Sequence, residues 1–357
     1  LQSGFHNLNI PKRVLLLGAT GTIGLATAIA LVNRGHEVIC LVRNQSGNEL
    51  PHHSFRQLSK LDGVQIRFGD VTDLKSITEN GFCGENFDAV VSCLASRTGA
   101  AKDAWAIDYH AHANILATAK ATGVKQFILL SALCVQKPKL AFQFAKLAFE
   151  KELMESGITY SIIRPTAYFK SLSGQVERVK RGKPFLLFGD GTMTACKPIS
   201  DHDLAAYLVD CITNEHCHNR ILPIGGPGTS ITPKQQAEML FELLGQPLRV
   251  QSVPIRLLDV LVAGFEMLGR GIPFFRQKAE LARIGRYYAT ESMLVLNPET
   301  NSYDAQLTPS TGRESLREHY RRMINGEASI DLREHSVFQE ILVLTLGSGP
   351  IKCACEV

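Results

Sequence analysis

Gly18-Ala19-Thr20-Gly21-Thr22-Ile23-Gly24 follows a short apolar stretch and opens a run of helix formers. Glycines at this spacing make a tight turn, let backbone approach a pyrophosphate, and close a helix against a strand. The helix start adds N–H donors and the positive end of a dipole. Strand before, helix after and a place in the first βαβ unit point to a dinucleotide site, with Gly18, Thr20, Gly21, Thr22 and Ile23 at the phosphates. Arg43 closes the second apolar stretch. An acid there would accept from the ribose 2′-hydroxyl of NAD, whereas a guanidinium suits the 2′-phosphate of NADP. Asp70 and Val71, after the third stretch, are expected at the adenine edge, although Asp70 would equally serve as a helix cap. Cys93, Leu94 and Ala95, after the fourth, are expected on the ribose side. NADPH is the cofactor these residues predict.

Phe142 and Lys146 lie four residues apart in a predicted helix and so share one face. The glycine spacing, the acid after the third strand and the layout resemble the short-chain dehydrogenase/reductase superfamily. That superfamily usually carries Tyr-x-x-x-Lys here, the lysine holding the ribose and the tyrosine protonating a carbonyl oxygen. Lys146 is kept as a catalytic and cofactor-binding residue, but phenylalanine cannot transfer a proton. Ser131 matches the usual serine and is expected near the cofactor, although its hydroxyl would equally satisfy backbone. Without the acid, ordinary alcohol–ketone exchange is disfavoured. Reduction of a polarised carbon–carbon double bond needs only a conjugated electron sink and a proton for carbon.

The elements that position these residues form an α/β pattern. Short apolar strands are predicted at 14–17, 37–43, 64–68, 89–94, 126–130 and 159–163, with helices at 22–33, 104–121 and 140–155. Continuous apolar strands alternating with helices predict a Rossmann-type, doubly wound parallel sheet. Beyond Arg164-Pro165, glycine and proline become frequent. We read residues 12–164 as the NADP-binding domain and 165–338 as a smaller C-terminal substrate-side region whose segments return to the sheet. Residues 339–357 lack periodicity and read as a disordered tail.

Composition narrows the classes. The chain has 357 residues, 45% hydrophobic, with a formal net charge of +4. It can bury a large core, and its charge is too weak to argue for nucleic acid. Nine cysteines in no disulfide framework suggest a reducing compartment. No metal site is expected from their spacing. No apolar run reaches the ~18 residues of a membrane span, so at most a loose membrane association is expected.

Seven motifs sharpen the reading: VVSCLASRTG (90–99), CVQKP (134–138), RPTAYFKSL (164–172), FGDG (188–191), CKPIS (196–200), LPIGGPG (222–228) and GRYYATESML (285–294). Together they resemble the divinyl (proto)chlorophyllide 8-vinyl reductases, over about residues 12–338. Tyr168 departs from the phenylalanine expected there. The resemblance implies NADPH as reductant and divinyl chlorophyllide a or divinyl protochlorophyllide a as substrate, its 8-vinyl group reduced to ethyl in chlorophyll or bacteriochlorophyll biosynthesis. It implies a plastid or a bacterial cytoplasm. Phe142, Phe169 and Tyr287 are candidate walls for a flat macrocycle, Lys170 a partner for its carboxylate, and Tyr168 a candidate proton donor. Phe185, Phe188, Phe274, Phe275, Tyr288, Arg178 and Arg286 are further candidates. For each, a place in the core or on the solvated surface is the plainer alternative. Two other functions compete: a non-catalytic NADP-binding regulator or photosystem assembly factor of the same superfamily, and a phenylpropanoid double-bond reductase.

Overall fold

The structure is a computed structural model that describes residues 10–44 and 53–327. The predicted tail lies outside the described residues. Six strands arise from the predicted apolar stretches: β1 (Arg13–Leu17), β2 (Glu37–Val42), β3 (Val64–Phe68), β4 (Ala89–Ser92), β5 (Gln126–Leu130) and β6 (Thr159–Pro165). β7 (Phe185–Phe188), β8 (Arg220–Ile224) and β9 (Val250–Val253) follow. The main sheet has the order β3-β2-β1-β4-β5-β6-β8, and every pairing in it is parallel. β7 and β9 form a separate two-stranded sheet.

The strands are apolar throughout because both faces are covered. Val14 and Leu16 of β1 enter one core, and Leu15 and Leu17 enter the other. That alternation is the period of two of a strand seen from a buried sheet. On the first face pack α1 (Thr22–Asn33) and, from the second half, α4 (Asp201–Thr213). On the other lie α2 (residues 101–121) and α3 (Ala141–Glu155). α2 contains a π-helical stretch, Trp105–Ala111. A third core joins β7 to α5 (Pro233–Leu243), α7 (Pro273–Thr290) and α8 (Leu316–Ile324). α6 (Ile255–Gly269) pairs with α7 as a helical hairpin.

Three strands differ from the sequence reading at their carboxyl ends. β2 stops at Val42, one residue short of Arg43. β4 stops at Ser92, not Leu94, since Cys93 turns beneath the glycine loop. β6 runs on to Pro165 because Arg164 and Pro165 pair with Pro223 and Ile224 of β8. Strand order reverses between β1 and β4. Their following loops therefore part and open a crevice at the carboxyl ends, where ligands of such sheets bind.

Candidate active site

The glycine loop fills one side of that crevice. Gly18 has φ +76°, and a Cβ on it would lie 2.7 Å from the carbonyl carbon and oxygen of Cys93. A Cβ on Gly24 would lie 2.0 Å from the Gly18 oxygen. Both glycines are therefore required by the protein's own packing. Gly21 differs, for its Cβ would meet only the Gly18 oxygen, at 3.4 Å. The fold itself leaves room for a side chain at Gly21, so its bare backbone stands open to a ligand. Gly21 also caps α1 with no side-chain hydrogen bond, leaving the first-turn N–H groups for a ligand. Thr20 and Thr22 are half-buried beside it, and Ile23 points into the core. Lys170, read as a carboxylate partner, lies here too: its Nζ donates to Thr22 Oγ1 at 2.8 Å.

Arg43 is exposed just past β2, and its charge acts on Asp70. Asp70 does not cap the following helix; Asp73 does, accepting from the Lys75 N–H. The Asp70 carboxylate instead accepts from the N–H and hydroxyl of Thr72, at 2.8 and 2.7 Å. Those bonds, with Arg43 adding to them, hold its carboxyl below the usual range. Val71 is buried behind it. Across the crevice, Leu94 is half-buried and Ala95 is exposed. The thiol of Cys93 lies 3.7 Å from Thr27 Oγ1, and burial pushes it up to about 12.

At the centre, Lys146 of α3 is 9% exposed and its Nζ lies 3.0 Å from Asp108 Oδ1. Asp108 is 1% exposed and comes from the π-helical stretch of α2. The same oxygen accepts from Ser96 N–H at 3.3 Å, while Oδ2 is buried without a hydrogen-bond partner. One turn on, His112 is buried between Ser92 Oγ and the Ile107 carbonyl, both 2.8 Å away. The carbonyl can only accept, so Nδ1 carries the proton and Nε2 accepts from Ser92. Burial, with Lys146 adding to it, lowers this histidine to about 4. The sequence reading missed Asp108 and His112. Their signal was two polar residues at i and i+4 on the helix face that also carries Ala111 and Ile115.

Ser131 is close by but committed elsewhere. Its hydroxyl donates to Glu150, which also pairs with Arg164. It satisfies a buried carboxylate, not backbone. Phe142 packs beside Gly99 and Ile284. Tyr168 lies past β6 in a half-buried position where burial, with the Cys134 and Cys93 thiols, raises its hydroxyl above the usual range. Tyr288 adjoins it, its hydroxyl 3.9 Å from Cys134 Sγ. These side chains come together over the ends of β4, β5 and β6. Others do not line an opening. Tyr287 is buried, its one hydroxyl hydrogen shared between the carbonyls of Cys134 and Lys137. Phe169 is buried with its ring 5.1 Å from that of His319. Phe185 is core, Arg178 bonds the Pro184 carbonyl, and Arg286 pairs with Asp259.

Comparison with known proteins follows the same lines. The NAD(P)H-binding family matches residues 18–215. The chain is 48% identical, over 346 residues, to the chloroplastic divinyl chlorophyllide a 8-vinyl-reductase of Cucumis sativus, covering 94% of this chain and 82% of that one. A more distant relative is the photosystem II assembly factor Ycf39 of Trieres chinensis, 24% identical over 72% of this chain and 78% of that one. Among solved structures, the NADPH complex of an NADPH-dependent quinone oxidoreductase from Escherichia coli aligns with a TM-score of 0.62 at 19% identity, over 87% of this chain and all of that one. That likeness bears on the fold, a Rossmann-type sheet. With a site built on the glycine loop and a buried lysine, and with identity of this extent, the chain belongs to the divinyl chlorophyllide a 8-vinyl-reductase family, within the wider NAD(P)H-binding group.

Proposed function

We propose that the protein reduces the 8-vinyl group of divinyl chlorophyllide a or divinyl protochlorophyllide a to an ethyl group, with NADPH as reductant. The observation that carries the reading is the 48% identity to a named 8-vinyl-reductase across 94% of the chain. The site is compatible with it. Phe142 supplies an apolar wall where a carbonyl reductase needs an acid, and the Ser131 hydroxyl is engaged by Glu150. In this reading residues 12–164 hold the cofactor and 165–338 contribute the substrate side.

Bound NADPH would supply the hydride. Gly18, Thr20, Gly21, Thr22 and Ile23 would hold its pyrophosphate, Arg43 its 2′-phosphate, and Asp70 and Val71 its adenine edge. Cys93, Leu94 and Ala95 would line its ribose. Lys170 would join the pyrophosphate group from its place on Thr22. Lys146 would hold the nicotinamide ribose, with Asp108 fixing the direction of its ammonium group. The Tyr168 hydroxyl, like any tyrosine's, keeps its proton at neutral pH, and from its place past β6 beside Tyr288 it is the proton donor we assign for the carbon. The apolar surroundings exclude water and align the vinyl group, an effect that can supply several kcal/mol. We place the protein in a plastid, in line with the chloroplastic relative.

The test is a pigment assay with purified protein, both divinyl substrates, and NADPH or NADH. A gain of two hydrogens on one pigment, faster with NADPH, is expected. Tight NADPH binding with neither pigment reduced would overturn the reading in favour of an assembly factor, the function named for the relative at 24% identity.

A further inference from the structure

α6 is an apolar helix that the fold leaves mostly uncovered. Of its residues only Leu258 and Gly269 are buried. Leu257, Val260, Gly264 and Met267 repeat at i, i+3, i+7 and i+10 and form one outward stripe. Val260 is 68% exposed and Met267 67%. The stripe continues around the turn, where Ile272 is 50% and Phe274 60% exposed. Large apolar side chains exposed together mark an interaction surface.

Charge names the occupant. Residues 255–290 carry twice as many basic as acidic side chains. The three acids are paired within the hairpin: Asp259 with Arg286, and Glu266 and Glu280 both with Arg283. The hairpin therefore shows apolar side chains with a surplus of positive charge, and Arg256 and Arg270 stand at the two ends of α6. A helix with an apolar face and basic flanks suits the interface of an anionic lipid layer. Among the described residues, no helix is long and apolar enough to cross a membrane. At 15 residues, α6 is about 22 Å long and fits lying flat. The partner helix α7 carries Tyr288 to the site described above, so one helix joins the surface and the site.

We infer that the α6–α7 hairpin docks the protein on a membrane surface bearing anionic headgroups. This goes beyond the reductase reading and stands or falls without it. Purified protein should pellet with phosphatidylcholine vesicles containing phosphatidylglycerol, pellet far less with phosphatidylcholine alone, and be released by salt. V260E/M267E should lower the partition at least tenfold. The variant should still melt as wild type does and still turn over pigment dispersed in detergent. Three outcomes overturn the inference. One is no pelleting with either vesicle. Another is equal pelleting of wild type and V260E/M267E. The third is a change in molar mass by light scattering with pelleting unaltered, which would make a second copy the occupant of the patch. A failed pigment assay with intact vesicle binding would remove only the reductase reading.

Discussion

Replacing Asp108 by asparagine tests whether this buried acid works through Lys146. At 3.0 Å and an effective dielectric of ~20, the gross attraction between the two charges is about 5–6 kcal/mol. Much of it offsets the desolvation of a pair this deeply placed. Asparagine keeps the volume and a carbonyl oxygen facing Nζ, so what is lost is the difference between a charged and a neutral acceptor. A hydrogen bond to a charged group contributes about 1.5–3 kcal/mol. The expected result is a fall in kcat/KM of roughly tenfold to a hundredfold. NADPH affinity should fall with it, while the melting temperature moves little. Asp108→Ala is a different perturbation. It strands a buried ammonium, at about 3–5 kcal/mol, a large share of the 5–15 kcal/mol that holds a domain together. The decisive measurement is a double-mutant cycle on NADPH affinity, read by fluorescence titration. Asp108→Asn should have a full effect in the wild-type background and almost none beside Lys146→Ala. If the two substitutions simply multiply, Asp108 acts independently and the assignment fails.

Arg43→Ala should weaken NADPH binding about tenfold to a hundredfold and leave NADH nearly unchanged; equal losses would remove Arg43 from the 2′-phosphate. Gly21→Ala should melt close to wild type yet bind NADPH and NADH at least about tenfold more weakly, as expected if only a ligand needs that bare backbone. Gly24→Ala, whose Cβ would lie 2.0 Å from a carbonyl oxygen, should instead lose the fold, seen by circular dichroism. His112 gives a pH prediction. Burial lowers it from 6.5 to about 4 in the folded state, so between those values the unfolded chain holds a proton that the folded chain lacks. Stability should therefore fall as pH drops through this window, by up to about 3 kcal/mol from this one group. In urea unfolding, His112→Gln should flatten that slope, and an unchanged slope would show that His112 charges without opening the fold.

The sheet was legible because each strand is buried on both faces, and continuous apolar runs such as Val14–Leu17 leave little choice of state. The glycine loop was legible because backbone geometry allows so few residues at Gly18. Side-chain commitments were not. Nothing local to Ser131 says that its partner is Glu150, because β5 and α3 meet only in the folded sheet. Lys170 shows the same limit. It is far from Thr22 in sequence, and only the turn after β6 brings its amino group to the start of α1. Asp108 was passed over although it and His112 stand at i and i+4, because a lone acid within a predicted helix reads first as solvated surface.

The same commitments explain why this site suits a carbon–carbon bond. Polarising a carbonyl oxygen takes donors free to turn toward it. Ser131 donates to Glu150, and Tyr287 shares its hydrogen between two backbone carbonyls. The Ser131 and Tyr287 hydroxyls are thus engaged and position 142 offers none, while burial, with Lys146 adding to it, keeps His112 neutral. Beside them stand the Lys146 ammonium, held by a buried carboxylate, and the hydroxyls of Tyr168 and Tyr288, both raised by burial. In the proposed reaction a tyrosine hydroxyl of that kind would serve a carbanion that the conjugated macrocycle first spreads and then returns to one carbon. The chemistry follows from which donors the fold has already engaged as much as from which residues are present.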